Sequence, residues 1–233
     1  MQAPFATLIL VAAGRSSRMG ASSRSKVLLP LAGKTLLEHT LQAFAQAQTV
    51  QDLVLVARHE DFEELGAIVA SMDLPLHAMV PGGQERFHSV RAGCEAADPN
   101  REVLLIHDAA RPLIRPQHID QVALAASTSG AALLALPVTD SLHRSLDGCR
   151  VVEPVDRGPL WAAQTPQGFR TQAFLGALER ASKITPPPTD DVALFEQYVG
   201  PVTLVRGVSD NIKVTRPEDL PIAEALLRAR TSQ

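Results

Sequence analysis

Cysteine is nearly absent from this 233-residue chain, in which Cys94 and Cys149 are the only two. A disulfide framework is thereby excluded, and a reducing, cytoplasmic setting is the simplest expectation. Long apolar runs are missing too. The longest, such as "AALLALPV", fall well short of the roughly 20 residues that cross a bilayer, so no membrane span is expected. "LILVAAG" near the start has no basic region before it and runs on without a cleavage site, so no secretory leader is expected. The seven histidines are scattered, with no H-E-x-x-H and no Cys/His zinc spacing. "LAGKT" resembles the end of a phosphate-binding P-loop, but Leu28 stands where its first glycine should be; Gly14 and Gly20 do not give G-x-G-x-x-G either. Internal repeats are absent. The last absence is local: no acid precedes Glu38, whereas Arg15, Arg18, Arg24, Lys26 and Lys34 all do. With a formal net charge of −3 for the whole chain, this confined basic segment points to a small anionic ligand. A nucleic acid would favour a broad basic surface.

What is present is an alternation of strand-like and helix-like segments. "TLILVAAG" precedes "TLLEHTLQAFAQA", "QDLVLVA" precedes "DFEELGAIVASM", "LHAMV" precedes "ERFHSVRAGCEAA", and "REVLLIHDA" precedes "QHIDQVALAAST", followed by "AALLALPV". This order predicts an α/β fold, a mostly parallel sheet flanked by helices on both faces. The length suits one large domain over residues 1–233. After Val138 the alternation stops. "DSLHRSLDGCRVVEPVDR" has a turn signal at Asp147 and Gly148 and reads as a projecting β-hairpin, either a surface elaboration or an arm for subunit contact. Helical pattern resumes at "TQAFLGALERA"; "TPPPTDD" then offers an N-cap to "VALFEQYV". A strand "VTLVRG" leads to a terminal helix for which Pro217 and the following acids suit the first turn.

In such sheets, ligands sit beyond the carboxyl ends of the strands. The loop after "LILVAA" is one of these places. Gly14 lets backbone amides approach a phosphate, Ser16 and Ser17 add hydroxyl donors, and Arg18 and Lys26 supply a guanidinium fork and a mobile ammonium. Together they suit a triphosphate. The bland reading, an exposed Ser/Arg turn, would account for any one of these residues alone.

"LVAAGRSSRMG...K...LPLAGKTLLEHTL" resembles the signature of nucleotidyltransferases acting on sugar or polyol phosphates. "VPGGQERFHSVRAGC", "LIHDAARPLI", "PVTDSLHR", "VDRGPLWAAQTPQGF", "TDD" and "DNIKVTRPEDL" narrow the likeness to the 2-C-methyl-D-erythritol 4-phosphate cytidylyltransferase family, over nearly the whole chain. The resemblance implies a Rossmann-like nucleotidyltransferase sheet, a homodimer formed through an arm at 139–157, and Mg²⁺ as cofactor. It implies transfer of the cytidylyl group of CTP to a polyol phosphate, with release of pyrophosphate, in isoprenoid precursor biosynthesis.

Residue by residue, the resemblance makes Arg18 and Lys26 the catalytic cations. It gives the nucleotide to Ala12, Ala13, Gly14, Gly82, Gly83, Ser89, Asp108 and Ala109. Asp108 and Asp210 become the metal candidates, and a carboxylate with phosphate oxygens and water is a suitable shell for Mg²⁺. The acceptor falls to Arg111, Asp140, Ser141, Arg157, Lys213 and Thr215, with Arg157 reaching the partner subunit's site. Bland readings stand beside these. Gly82 and Gly83 also suit a tight turn, Asp108 a helix cap, and Arg111 a structural pair with Asp108; His107 reads as a structural neighbour. The chain departs from the family in having Val27 after the loop lysine, Ser141 where Thr is frequent, and one extra residue between Arg18 and Lys26. Two alternatives stay open at this point: a ribitol 5-phosphate cytidylyltransferase, and a nucleotide-binding module without transfer.

Overall fold

The computed structural model describes residues 5–14, 25–182 and 190–231. Five parallel strands are laid down first: β1 (Ala6–Val11), β4 (Val50–Ala57), β5 (Leu76–Pro81), β6 (Val103–Asp108) and β7 (Ala131–Pro137). Between β1 and β4 lie a minimal hairpin, β2 (Pro30–Leu31) with β3 (Lys34–Thr35), and helix α1 (Leu36–Ala45). Helix α1 starts at a capping box: Thr35 accepts from the Glu38 amide while the Glu38 carboxylate accepts from the Thr35 amide. Helices α2 (Phe62–Ala70), α3 (Arg86–Glu95) and α4 (Pro116–Ser129) make the remaining crossovers.

Strand residues alternate between two apolar layers. Leu8, Leu10, Leu53, Leu55 and Leu105 face α1, α2 and α4, whereas Ile9, Val54, Val56, Leu104 and Ile106 face α3 and two later helices, α5 (Thr171–Ala181) and α6 (Asp191–Tyr198). Both faces are covered, so the strands read as continuous hydrophobic runs. Gly93 brings α3 close: an added Cβ would lie 2.6 Å from both Ile9 Cγ2 and Val56 Cγ2.

The expected alternation and mostly parallel sheet are present. One strand is additional. β10 (Trp161–Arg170) lies between β6 and β7 and is antiparallel to both, and β11 (Thr203–Arg206) adds to the far side of β7. The order is β11-β7-β10-β6-β1-β4-β5. β10 escapes sequence reading because its buried positions include Gln164, Thr165 and Gln167 in place of an apolar run.

Segment 139–157 contains the expected hairpin, β8 (Leu142–Arg144) against β9 (Glu153–Val155). Asp147 closes its turn by accepting from the amides of Cys149 and Arg150. Its apolar side chains face outward: Leu146 is 84% exposed and Val151 65%. The terminal helix α7 spans Asp219–Thr231, two residues later than the Pro217 start expected from sequence. It packs with Leu113 and Val214 in a small third core under the β2–β3 hairpin. Asp190 caps α6 through the Val192 amide as expected, while the proline run before it lies outside the described residues.

Candidate active site

Strand β1 is flanked by β4 on one side and β6 on the other, so the loops leaving their carboxyl ends diverge and open a crevice. A cavity of about 270 Å³ lies there. Its floor is the segment Val11 to Gly14 after β1, with Lys26 and Val27; one wall is Gly83 to Arg86 with Ser89, and the other is Asp108, Ala110, Lys213 and Thr215.

The first wall is built by close backbone approach. The Gly82 amide donates to Ala57 O at 2.9 Å, continuing β5 along β4, and the residue then passes over Ala13. A Cβ at Gly82 would stand 2.1 Å from the Ala13 Cβ and 3.0 Å from Ser89 Oγ, so only glycine lets the two loops meet. Ser89 fixes the turn by accepting from the Gly83 amide at 3.1 Å and donating to Glu85 O at 3.3 Å. Gly82 is thereby brought against Ala13, and Gly83 and Ser89 share the cavity with Ala12, Ala13 and Gly14.

Asp108 is the electrostatic centre of the second wall. Lys213 Nζ is 2.7 Å from its carboxylate, Arg86 Nε 3.5 Å and Arg111 Nε 3.8 Å. Burial alone would raise its pKa, but Lys213, Arg86 and Arg111 outweigh burial and hold the group well below the usual carboxylate range. Arg86 bridges Asp108 to Asp191, whose carboxylate is 2.6 Å from Arg86 Nη1. Burial disfavours the Arg86 charge, yet these two aspartates raise its pKa. Ala109 itself is buried: its amide donates to Val11 O and its carbonyl accepts from Thr40.

His107 is fully buried on the other side of β6. Its Nδ1 is 3.0 Å from Thr165 Oγ1, its ring meets Phe44 edge-on, and burial pushes its pKa down to about 3. It does not line the cavity, in agreement with its reading as a structural neighbour.

The remaining expected residues are spread more widely. Arg18 lies outside the described residues. Lys26 lines the cavity and donates to Val214 O at 3.1 Å. Arg111 stands behind the wall, where Nη1 donates to Asn211 O at 2.9 Å. Asp210 is not among the lining residues; its Oδ2 receives Arg115 at 2.5 Å and Arg230 at 2.9 Å. Asp140, Ser141 and Arg157 sit on the exposed arm, Arg157 donating to Thr139 O, and none of the three lines the cavity of its own chain.

Arg86 and Asp191 were not assigned from sequence. Both lie in motifs that carry the family likeness, but no spacing rule pairs residues 105 positions apart.

The geometry is that of an anion-binding crevice with a carboxylate at its edge, and comparison with known proteins decides which. The family model IspD, 2-C-methyl-D-erythritol 4-phosphate cytidylyltransferase, matches residues 6–229. The chain belongs to this family. The enzyme of this name from Bacillus licheniformis is 38% identical over 224 residues, covering 95% of both chains. The Microcystis aeruginosa enzyme is 40% identical over 228 residues, covering 96% of this chain and 99% of the relative. The crystal structure of the Thermus thermophilus enzyme superposes with a TM-score of 0.75 at 31% identity, over 94% of this chain and 98% of that one. That of 4-diphosphocytidyl-2C-methyl-D-erythritol synthase from Anaerococcus prevotii gives 0.85 at 27%, over 97% and 96%. Membership makes the chain a cytidylyltransferase, converting CTP and 2-C-methyl-D-erythritol 4-phosphate into 4-diphosphocytidyl-2-C-methyl-D-erythritol and pyrophosphate in isoprenoid precursor biosynthesis.

Proposed function

We propose that the reaction runs in the crevice at the end of β1, with CTP between the two walls and the acceptor phosphate at Lys213. The observation that carries this reading is the 2.7 Å contact of Lys213 with Asp108, in the same cavity as Lys26 and the Ala12–Gly14 backbone. A cation for the incoming phosphate and the surroundings of a nucleotide are then within one substrate's length.

In this reading Ala12, Ala13 and Gly14 meet the nucleotide along the floor, and Gly82, Gly83 and Ser89 border the base and ribose. Arg18 and Lys26 offset charge on the α-phosphorus. An oxygen of the acceptor phosphate attacks that phosphorus, a new P–O bond forms, the α–β bridging bond breaks, and its electrons leave with pyrophosphate. The nucleophile is already anionic, so no side chain has to remove a proton. Catalysis is positioning plus electrostatics.

Magnesium fits one part of the site. Among the described residues no group of three or more His, Cys, Asp or Glu could cage a metal, and Mg²⁺ bound to nucleotide normally takes only one or two carboxylates. Asp108, ionised and facing the cavity, is the carboxylate that suits this; Asp210 would have to leave Arg115 and Arg230 first. Bound there, the ion would neutralise charge on the phosphates. Lys213 would then exchange Asp108 for the acceptor phosphate.

Arg157, Asp140 and Ser141 complete the site from a second copy of the chain. Residues 139–157 form the pairing arm of a single catalytic domain, a role supported by the outward-facing Leu146 and Val151 on a hairpin too small to be stable alone. A cytoplasmic location accords with two unpaired cysteines.

Co-expression of Lys26→Ala and Arg157→Ala chains tests the shared site. Each variant alone should be nearly inactive, while mixed dimers contain one site with both residues intact. Recovery of roughly a quarter of the wild-type rate is expected for random twofold pairing. No recovery, with mixed dimers present, would rule out Arg157 acting across the interface.

A further inference from the structure

The catalytic cavity depends on a segment that has no regular secondary structure, the stretch from Gly207 to Thr215 after β11. It carries Lys213, and its Val214 carbonyl accepts from Lys26. Two cations of the reaction therefore take their positions from one irregular strand of backbone. Such a stretch has no ladder to hold it, so the bonds that pin it need to be identified individually.

One pin beside Lys213 is Asn211. Its side chain is fully buried, an unusual place for an amide unless it is bonded. Asn211 Nδ2 donates to Gln164 Oε1 at 3.2 Å and to Thr165 O at 3.1 Å, both on β10. Gln164 in turn donates through Nε2 to Val208 O at 2.9 Å, so the two amides clasp the segment at two points three residues apart. The Asn211 carbonyl receives Arg111 Nη1, and the Val214 amide donates to Ala110 O at 2.8 Å, joining the same segment to the end of β6. Thr165 completes the circuit: its hydroxyl lies 3.2 Å from the Asp108 amide that donates to it.

We infer that Asn211 is a positioning residue for the transfer reaction, fixing the backbone that carries Lys213 beside Asp108 and, through Val214, holding Lys26 over the nucleotide. The inference rests on the assignment of Lys213 to the acceptor phosphate. It explains why β10 carries Gln164 and Thr165 at buried positions where a leucine would pack more simply: the strand serves as an anchor rail as well as a member of the core. It also explains the position of Gly207, where a Cβ would come 2.4 Å from Gln164 Oε1 and dislodge the clasp.

Two variants and one control test the inference. Asn211→Ala removes both side-chain donors; Gln164→Met keeps the length and volume of the side chain and removes only its polar end. Steady-state kinetics with CTP and 2-C-methyl-D-erythritol 4-phosphate, CTP titration calorimetry and thermal denaturation would be run on each, beside Lys213→Ala. A loose Lys213 should raise the acceptor KM roughly tenfold in Asn211→Ala, equivalent to about 1.4 kcal/mol, with kcat lowered through Lys26. The CTP dissociation constant should rise less than the acceptor KM, because the Ala12–Gly14 floor and the Gly82–Ser89 wall do not touch Asn211 and only Lys26 links it to the nucleotide. Gln164→Met should move the acceptor KM in the same direction by less.

A purely structural amide would lower the melting temperature and leave both KM values of the folded enzyme unchanged, which would overturn the inference. Equal losses for CTP and acceptor would overturn it as well. If Gln164→Met alone folds, its acceptor KM decides. Lys213→Ala separates the two levels of the argument: an unchanged acceptor KM there refutes the role of Lys213 itself, whereas a raised value there with an unchanged value in both amide variants refutes only the role of Asn211.

Discussion

Replacing Gly82 by Ala tests whether the cavity is formed by two loops in direct contact. The new Cβ would lie 2.1 Å from the Ala13 Cβ, roughly 1.4 Å short of the ~3.5 Å at which two carbons attract. Neither partner can yield cheaply. The Gly82 amide is bonded to Ala57 O, the Ala12 amide is bonded to Val56 O at 2.7 Å, and Ser89 Oγ stands 3.0 Å from the same new atom. The strain must open the crevice between floor and wall, at an overpacking cost of about 1–3 kcal/mol. For a chain of this length that lowers the melting temperature by about 2–12 °C. A displacement on the order of 1 Å in the residues bordering the nucleotide should also weaken CTP binding by ~10-fold or more. Scanning fluorimetry and CTP calorimetry measure the two effects. Gly14→Ala is the comparison, because a Cβ there meets no described residue within 4 Å and should leave the melting temperature unchanged. If Gly82→Ala matched the wild type in both measurements, the two loops would not be in the described contact.

Two further outcomes are expected. Arg18→Ala and Lys26→Ala should each lower kcat by ~10²-fold or more, the scale of losing one preorganised transition-state donor; unchanged turnover would remove that residue from the mechanism. A thiol reagent should label Cys94 only after unfolding, since burial pushes its thiol well above its ordinary pKa; rapid native labelling of Cys94 would contradict the packing of α3.

The parts of the fold that could be read from sequence are those governed by period. The runs that became β1, β4, β6 and β7 are apolar because both of their faces are covered, and α1, α4 and α5 carry 3.6-residue stripes toward them. β10 was not legible. Its buried Gln164 and Thr165 are stabilised by partners in the 207–215 segment, and tertiary hydrogen bonding of that kind leaves no local pattern. The same limit applies to the site. Gly14 stood out in the loop after a strand, and Gly83, Ser89, Asp108 and Lys213 through the family resemblance; all five line one cavity. The Arg86–Asp191 pair and the Asn211 clasp depend on contacts between distant segments. Asp210 illustrates the reverse case: its motif suggested a metal ligand, and the fold surrounds its carboxylate with Arg115 and Arg230.

The most direct test of the central claim is pyrophosphate release from CTP and Mg²⁺ with two acceptors in parallel, 2-C-methyl-D-erythritol 4-phosphate and ribitol 5-phosphate, with Lys26→Ala as the control. Rapid release with the branched acceptor, little with the linear one and near-silence in the variant are the predicted results. Release with ribitol 5-phosphate alone, or CTP binding with no release from either acceptor, would contradict it.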